Sequence, residues 1–296
     1  MTDLPLSLAA SADDLEHRAG FDPGFLGVDV PMPGLTGDLP TMTLGYTHYS
    51  VLFRPDRRLA AVTAVDLDGA HLFQIDREGI PWELDPRLAP ELQTGPAVYV
   101  RNDLDKGHLV RRASSCWGAD RAEAEQGNVE TFYYTNAAPQ AALFNQGHQL
   151  WLGLEDYLQE HAATYDRKLV VLAGPVLDPA DPPYRGVQIP LRFWKVVAFL
   201  QDGALAATGY LLDQSPLVSH EEVAEVEGPP PLGAYRTFQV PIASMAALTG
   251  VLLDQLAAVD QLHAPPALAA APPPAPGHAA PGWVELHALD DVRFAA

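Results

Sequence analysis

Residues 193–200 and 204–212 limit the fold more than any other part of the chain. Both are apolar runs, and only Gln201, Asp202 and Gly203 lie between them. An Asp-Gly pair between two such runs predicts a tight hairpin turn, and with it two antiparallel strands. The same pattern recurs at 47–54 and 59–66, separated by Pro55-Asp56-Arg57. Residues 168–173 form a short apolar run of the buried-strand kind, and 187–189 add a further strand. Residues 98–100 read as a short strand or loop. Asp66-Leu-Asp-Gly69 and Asp76-Arg-Glu-Gly79 read as turns around a short apolar run at 71–75.

Helical periodicity enters later. Pro139 suits a first helical turn, and Leu143, Phe144, Leu150, Trp151, Leu154 and Leu158 then give an apolar face through about residue 163. A last helix is expected at 242–259. The fold class that follows is α+β, a central and mostly antiparallel sheet flanked by helices. Residues 1–40, rich in Gly and Pro, read as an N-terminal arm with a short helix around 10–18. Residues 41–262 form the main domain, the Ala- and Pro-rich 263–282 a linker, and 283–296 a segment that docks back on the body.

Composition sets the class. With 296 residues, 48% of them hydrophobic, the chain can bury a full core. The single cysteine, Cys116, excludes an intramolecular disulfide framework. The first residues lack a basic segment and are interrupted by Pro5 and Ser7, a poor secretion signal. No apolar run reaches the roughly 18 residues of a membrane-spanning helix, so no membrane partner is expected. A cytoplasmic location is the default, with export without a cleaved signal left open. The net charge of −20 opposes a polyanion partner at first sight. Its distribution matters more: residues 101–112 hold four cations against two acids, whereas 213–228 hold five acids and no Lys or Arg.

That locally basic stretch, Asn102-Asp-Leu-Asp-Lys-Gly-His108-Leu-Val-Arg-Arg112, precedes Thr135-Asn-Ala-Ala-Pro-Gln140 and Phe144-Asn-Gln-Gly147. One histidine able to act as a base, a cluster of cations, and two asparagines nine residues apart are the ingredients of metal-assisted phosphodiester cleavage. A neutral imidazole at His108 can accept a proton from water, and Gly107 permits close backbone approach beside it. Arg111 and Arg112 are candidate phosphate contacts. Asp105 reads as a residue that orients the loop. His48 reads as a packed strand residue, Trp117, Trp151 and Trp194 as core, and Cys116 as structural.

In order and spacing these motifs resemble the DNA/RNA non-specific endonuclease family, which carries Asp-Arg-Gly-His, then Asn-x-x-Pro-Gln, then Asn-Gln-Gly and Leu-Glu. The resemblance implies a ββα-metal (His-Me finger) active-site unit and a metal-dependent, sugar-non-specific endonuclease. Its cofactor would be Mg2+, with Mn2+ able to replace it, its substrates DNA and RNA, and its products 5′-phosphorylated fragments. By the same resemblance His108 is the general base and Asn145 the metal ligand. Asn136 positions substrate or metal-bound water, and Glu155 holds metal-bound water.

The chain departs from the family at two places. Lys106 stands where the family has arginine, losing the planar bidentate fork. Glu155 follows Asn145 by ten residues instead of eight, which changes its bearing on a helix, so Asp156 is an alternative. His148, inside that stretch, reads as incidental. The family's upstream arginine has no clear equivalent, and Arg87 is the candidate. Two rivals stay open on sequence alone: a nuclease-like module that binds without cutting, and a phosphodiesterase acting on small substrates. A nuclease of this kind also implies control, for example by an inhibitor or immunity protein.

Overall fold

The computed structural model describes residues 10–76, 79–142, 167–218, 236–262, 274–287 and 291–293. Its centre is an eight-stranded sheet in which every neighbouring pair is antiparallel. In chain order the strands are β1 (Met42–Tyr46), β2 (Tyr49–Arg54), β3 (Leu59–Asp68), then β4 (Leu104–His108) and β5 (Ala137–Ala141), which form a separate pair. They continue with β6 (Lys168–Pro175), β7 (Pro183–Tyr184), β8 (Val187–Gln188), β9 (Arg192–Gln201), β10 (Ala204–Asp213), β11 (Arg236–Gln239) and β12 (Val284–Leu286). The large sheet runs β1-β2-β3-β6-β9-β10-β11-β12. The fold is α+β, as the two hairpin signals require.

The hairpins form where the turn chemistry puts them. Gln201 pairs with Ala204 across Asp202 and Gly203, both at positive φ (52° and 79°), the geometry of a type I′ turn. At the sheet's other end the sequence reading is corrected. Residue 47 does not begin a strand, because Thr47 and His48 form the turn of an earlier hairpin, with Tyr46 paired to Tyr49 and His48 at φ 69°. The expected helix at 242–259 is two helices, α3 (Ile242–Thr249) and α4 (Asp254–Ala257). The break is Gly250, left-handed at φ 70°. There the backbone turns out to pair with the arm through Thr36 N–H to Gly250 O (2.7 Å) and Leu252 N–H to Gly34 O (2.9 Å). Pro139 lies in β5, not in a helix. Its partner β4 completes a two-stranded sheet, so the missing N–H disrupts no inner ladder.

Both faces of the large sheet are covered, which is why its strands read as nearly continuous apolar runs; all ten residues of β3 are buried. On one face Val62, Leu172, Trp194, Val196 and Leu211 pack against Phe21, Phe25 and Val30 of the arm and Ile242 and Met245 of α3. On the other, Tyr49, Val65, Leu67, Val171 and Phe193 pack beneath Leu109, Val110, Phe132 and Ala138, the residues around the β4–β5 pair. The arm opens with α1 (Ala12–Glu16), whose Ser11 and Asp14 form a capping box. Residues 284–286 add an eighth strand beyond β11, pinned by the Arg236–Glu285 ion pair at 2.6 Å. Helix α2 (Arg121–Glu130) has no counterpart in the sequence reading. Its buried residues are Ala124, Gly127, Asn128 and Glu130, so there is no apolar stripe to see. Among the described residues no helix is long and apolar enough to cross a membrane.

Candidate active site

The β4–β5 pair positions the basic motif. Lys106 faces Pro139, Gly107 faces Ala138 and His108 faces Ala137 in the antiparallel register. Because side chains alternate along a strand, Lys106 and His108 emerge on one face of β4 and Gly107 on the other. A glycine is required between them. A Cβ at 107 would lie 2.0 Å from Oε1 of Gln140, which is buried under it.

His108 sits among aromatic rings. The Trp82 ring lies 4.5 Å away, tilted by 50°, and Phe132 meets the imidazole edge-on at 4.9 Å. Trp82 also lies 5.3 Å from Phe132 and 5.8 Å from Tyr134, and the Lys106 ammonium stands 5.9 Å from its centroid. One tryptophan therefore touches the candidate base and approaches the candidate cation. Nothing in the pattern of residues 79–82 marks this residue. An indole next to a proline in a loop carries no signal of what it will pack on.

Asn136, the residue before β5, has no exposed surface. Its Oδ1 accepts from Val110 N–H at 2.8 Å, and its Nδ2 donates to Val110 O and Thr131 O, each at 3.0 Å. Its carbonyl accepts from Leu109 N–H at 3.0 Å. The amide expected to meet substrate or water is instead spent on the backbone that follows His108.

A buried network extends from there. Thr135 Oγ1 meets Tyr46 OH at 2.6 Å, Tyr46 OH donates to Asp85 Oδ2 at 2.5 Å, and Asp85 is paired with Arg87 at 2.7 Å. Burial and the neighbouring Asp85 carboxylate push the Tyr46 phenol well above its usual range, so it remains a donor. Gln214, unanticipated from sequence, holds β5 from the far side. It accepts from Ala141 N–H at 2.9 Å and donates to Pro190 O at 2.7 Å.

This packing engages two of the arginines expected as phosphate contacts. Arg87 is bound to Asp85 through Nε and Nη2, donates through Nη1 to Leu15 O and Gly45 O, and covers the Tyr46 ring at 4.7 Å. Its side chain is 4% exposed, too buried to reach a substrate. Arg112 donates through Nη1 to Ile75 O (2.6 Å) and Asn128 Oδ1 (3.1 Å), tying the turn after β4 to α2. Arg111 lines a small cavity with Leu67, Leu109, Val171 and Lys195 against the large sheet. Cys116 is buried, and burial pushes its thiol up to about 11, which leaves it unreactive. His48 stacks on Trp117 at 3.7 Å and donates from Nε2 to Trp117 O at 2.9 Å, with its pKa lowered by burial. Asn145, Glu155, Asp156 and His148 lie outside the described residues. Among the described residues no three His, Cys, Asp or Glu side chains gather.

Comparison with known proteins bears on the family and the fold. A protein of Sinorhizobium fredii (strain NBRC 101917 / NGR234), the uncharacterized protein y4fB, is 34% identical over 277 residues, covering 86% of this chain and 42% of that protein. Mitochondrial endonuclease G of Bos taurus is 27% identical over 169 residues (53% of this chain, 50% of that one). Mitochondrial nuclease EXOG of Danio rerio is 25% identical over 199 residues (62% and 55%). The chain thus spans about half the length of the curated relatives it matches. The crystal structure of the EndoG/EndoGI complex superposes with a TM-score of 0.56 at 20% identity, over 75% of this chain and 89% of that one, a likeness of fold. The family model for DNA/RNA non-specific endonucleases matches residues 30–261, a span that holds β1 to β11, the β4–β5 pair and the aromatic ring of contacts around His108. The chain belongs to the DNA/RNA non-specific endonuclease family.

Proposed function

We propose that this chain is a metal-dependent endonuclease that hydrolyses phosphodiester bonds of DNA and RNA, with His108 as its general base. The observation that carries the reading is that His108 and Lys106 share one face of β4, on either side of Gly107 and beside Trp82. An imidazole confined by two aromatic rings keeps its orientation while it accepts a proton from water. The water oxygen then bonds to phosphorus in line as the bond to the 3′ oxygen breaks, leaving a 5′ phosphate. Lys106 offsets the charge on the non-bridging oxygens as a point charge, without the bidentate grip of arginine. Asn136, Tyr46 and Gln214 hold the backbone around β4 and β5 so that base and cation keep their spacing.

A divalent cation, Mg2+ with Mn2+ able to replace it, would supply Lewis-acid stabilisation of the charge that develops on the phosphate. Asn145 would hold it, with Glu155 steadying its water. Recognition through phosphate and sugar leaves little base preference. A protein inhibitor belongs to the same proposal, because the matched EndoG is described in an inhibited complex. Its signature would be cutting by the purified chain that host extract suppresses and protease-treated extract does not.

The test is digestion of supercoiled plasmid by wild type and His108→Ala, with Mg2+ and with EDTA. Cutting that needs the metal and vanishes in the variant is expected. Cutting that survives His108→Ala would remove His108 from the mechanism.

A further inference from the structure

Arg87 and Arg112 are bound within the protein, whereas three other arginines lie on adjoining turns, Arg101 and Arg185 exposed and Arg58 half-buried. Arg185, exposed at the β7–β8 turn, donates to Ala97 O (2.9 Å) and Val100 O (2.6 Å) and lies over the Tyr184 ring at 4.9 Å. Arg101 is the exposed residue next to Val100. Arg58, in the β2–β3 turn, donates to Gly186 O (3.2 Å) and to Gln93 O (2.6 Å). Asn102 ties this group to β4, donating to Tyr184 OH (2.9 Å) while its Oδ1 accepts from Leu104 N–H (3.1 Å).

The charges are not neutralised in place. Arg54 and Arg57, from the same turn as Arg58, are paired with Asp56 and Asp181. Among the described residues no carboxylate lies within ion-pair distance of Arg58, Arg101 or Arg185. The partners of Arg58 and Arg185 are carbonyls, which orient a guanidinium without cancelling it. The acids near the group in sequence are Asp103 and Glu91, both exposed. The backbone gives a second sign. Of the five non-glycine residues at positive φ among those described, three are these arginines, at 59°, 54° and 46°. Arginine is not favoured in the left-handed region, and such conformations persist where the surrounding structure holds them, often at functional surfaces.

We infer that Arg58, Arg101 and Arg185 form a rim that binds the phosphate backbone of a nucleic-acid strand leading away from His108. The inference rests on the nuclease reading for the identity of the strand. At about 3.3 Å per residue, seven residues from Arg101 to His108 span at most roughly 23 Å. That is about six or seven nucleotide steps at 3.4 Å each along a duplex strand. A duplex longer than this is therefore long enough to cover His108 and Arg101 together. The rim also accounts for how a chain of charge −20 holds a polyanion: a few uncancelled charges at the site matter more than the total.

The test uses the full chain in EDTA, so that binding is read without cleavage. Affinity for a fluorescein-labelled 20-mer DNA duplex is followed by anisotropy as a function of salt, for wild type, for the triple variant Arg58→Gln/Arg101→Gln/Arg185→Gln and for the triple Lys variant. Counterion release predicts that the Gln triple loses roughly 0.9 in the slope of log K against log salt per phosphate contact removed. The Lys triple keeps the wild-type slope, because the charges remain. Arg121→Gln, which removes an exposed arginine paired with Glu125 on α2, leaves the slope unchanged. An unchanged slope in the Gln triple with an unchanged melting temperature overturns the rim, as does failure of wild type to bind the 20-mer at low salt. Plasmid cutting is scored separately, so loss of the nuclease reading and loss of the rim give different results.

Discussion

Replacing Asn136 with alanine separates a residue that touches substrate from one that holds the chain in place. The side chain makes three hydrogen bonds to backbone, at 2.8, 3.0 and 3.0 Å, from a position with no exposed surface. Each is worth about 1 kcal/mol net, and the Val110 N–H, left buried without an acceptor, adds about 1–3 kcal/mol. The expected loss is therefore about 4–6 kcal/mol, a large part of the roughly 5–15 kcal/mol by which domains are stable. Asn136→Asp should cost at least as much, because a carboxylate would face Val110 O and Thr131 O with no proton to donate. Urea unfolding followed by tryptophan fluorescence measures both, with turnover on plasmid taken per folded molecule. A loss under about 1 kcal/mol together with a hundredfold fall in turnover would refute the clamp and return Asn136 to a direct role on substrate.

Arg87→Met should destabilise by about 3–5 kcal/mol, since it strands Asp85 in a site with no exposed surface. It should leave the salt slope of DNA binding alone, and a lowered slope at unchanged stability would restore Arg87 as a phosphate contact. Asp66 is buried on β3 with one carboxylate oxygen accepting no hydrogen bond, and burial raises its pKa to about 8. The folded state then keeps a proton that the unfolded state releases near 4, so stability contributed by this group is full below about pH 4 and is lost as pH rises to about 8. Asp66→Asn should therefore stabilise relative to wild type by an amount that grows from pH 5 to pH 8.5, read as the difference in unfolding free energy; a difference constant with pH would contradict it.

Much of the fold was open to reading because each piece was local. The β9–β10 hairpin follows from Asp202-Gly203, and β6 from its unbroken apolar run. Helix α2 was missed because what it buries is small and polar, and α3 and α4 were fused because Gly250 gives no sign by itself that the arm will pair with it. The pairing of His108 with Lys106 on one face needed only the two-residue period of a strand. Trp82 and Gln214 had no pattern to announce them, and each acts on a segment distant in sequence.

By itself, then, the sequence determined the antiparallel hairpins, the adjacency of His108 and Lys106 on one strand face, and the family. The tertiary structure decided which polar side chains remain available. Asn136 is bound to a residue 26 positions away, and Arg87 to carbonyls 42 and 72 positions away. Periodicity records which face of an element is buried, because that depends on the element's own side chains. The partner of a buried amide or guanidinium is a carbonyl or carboxylate delivered by another segment, and only the assembled fold brings it there.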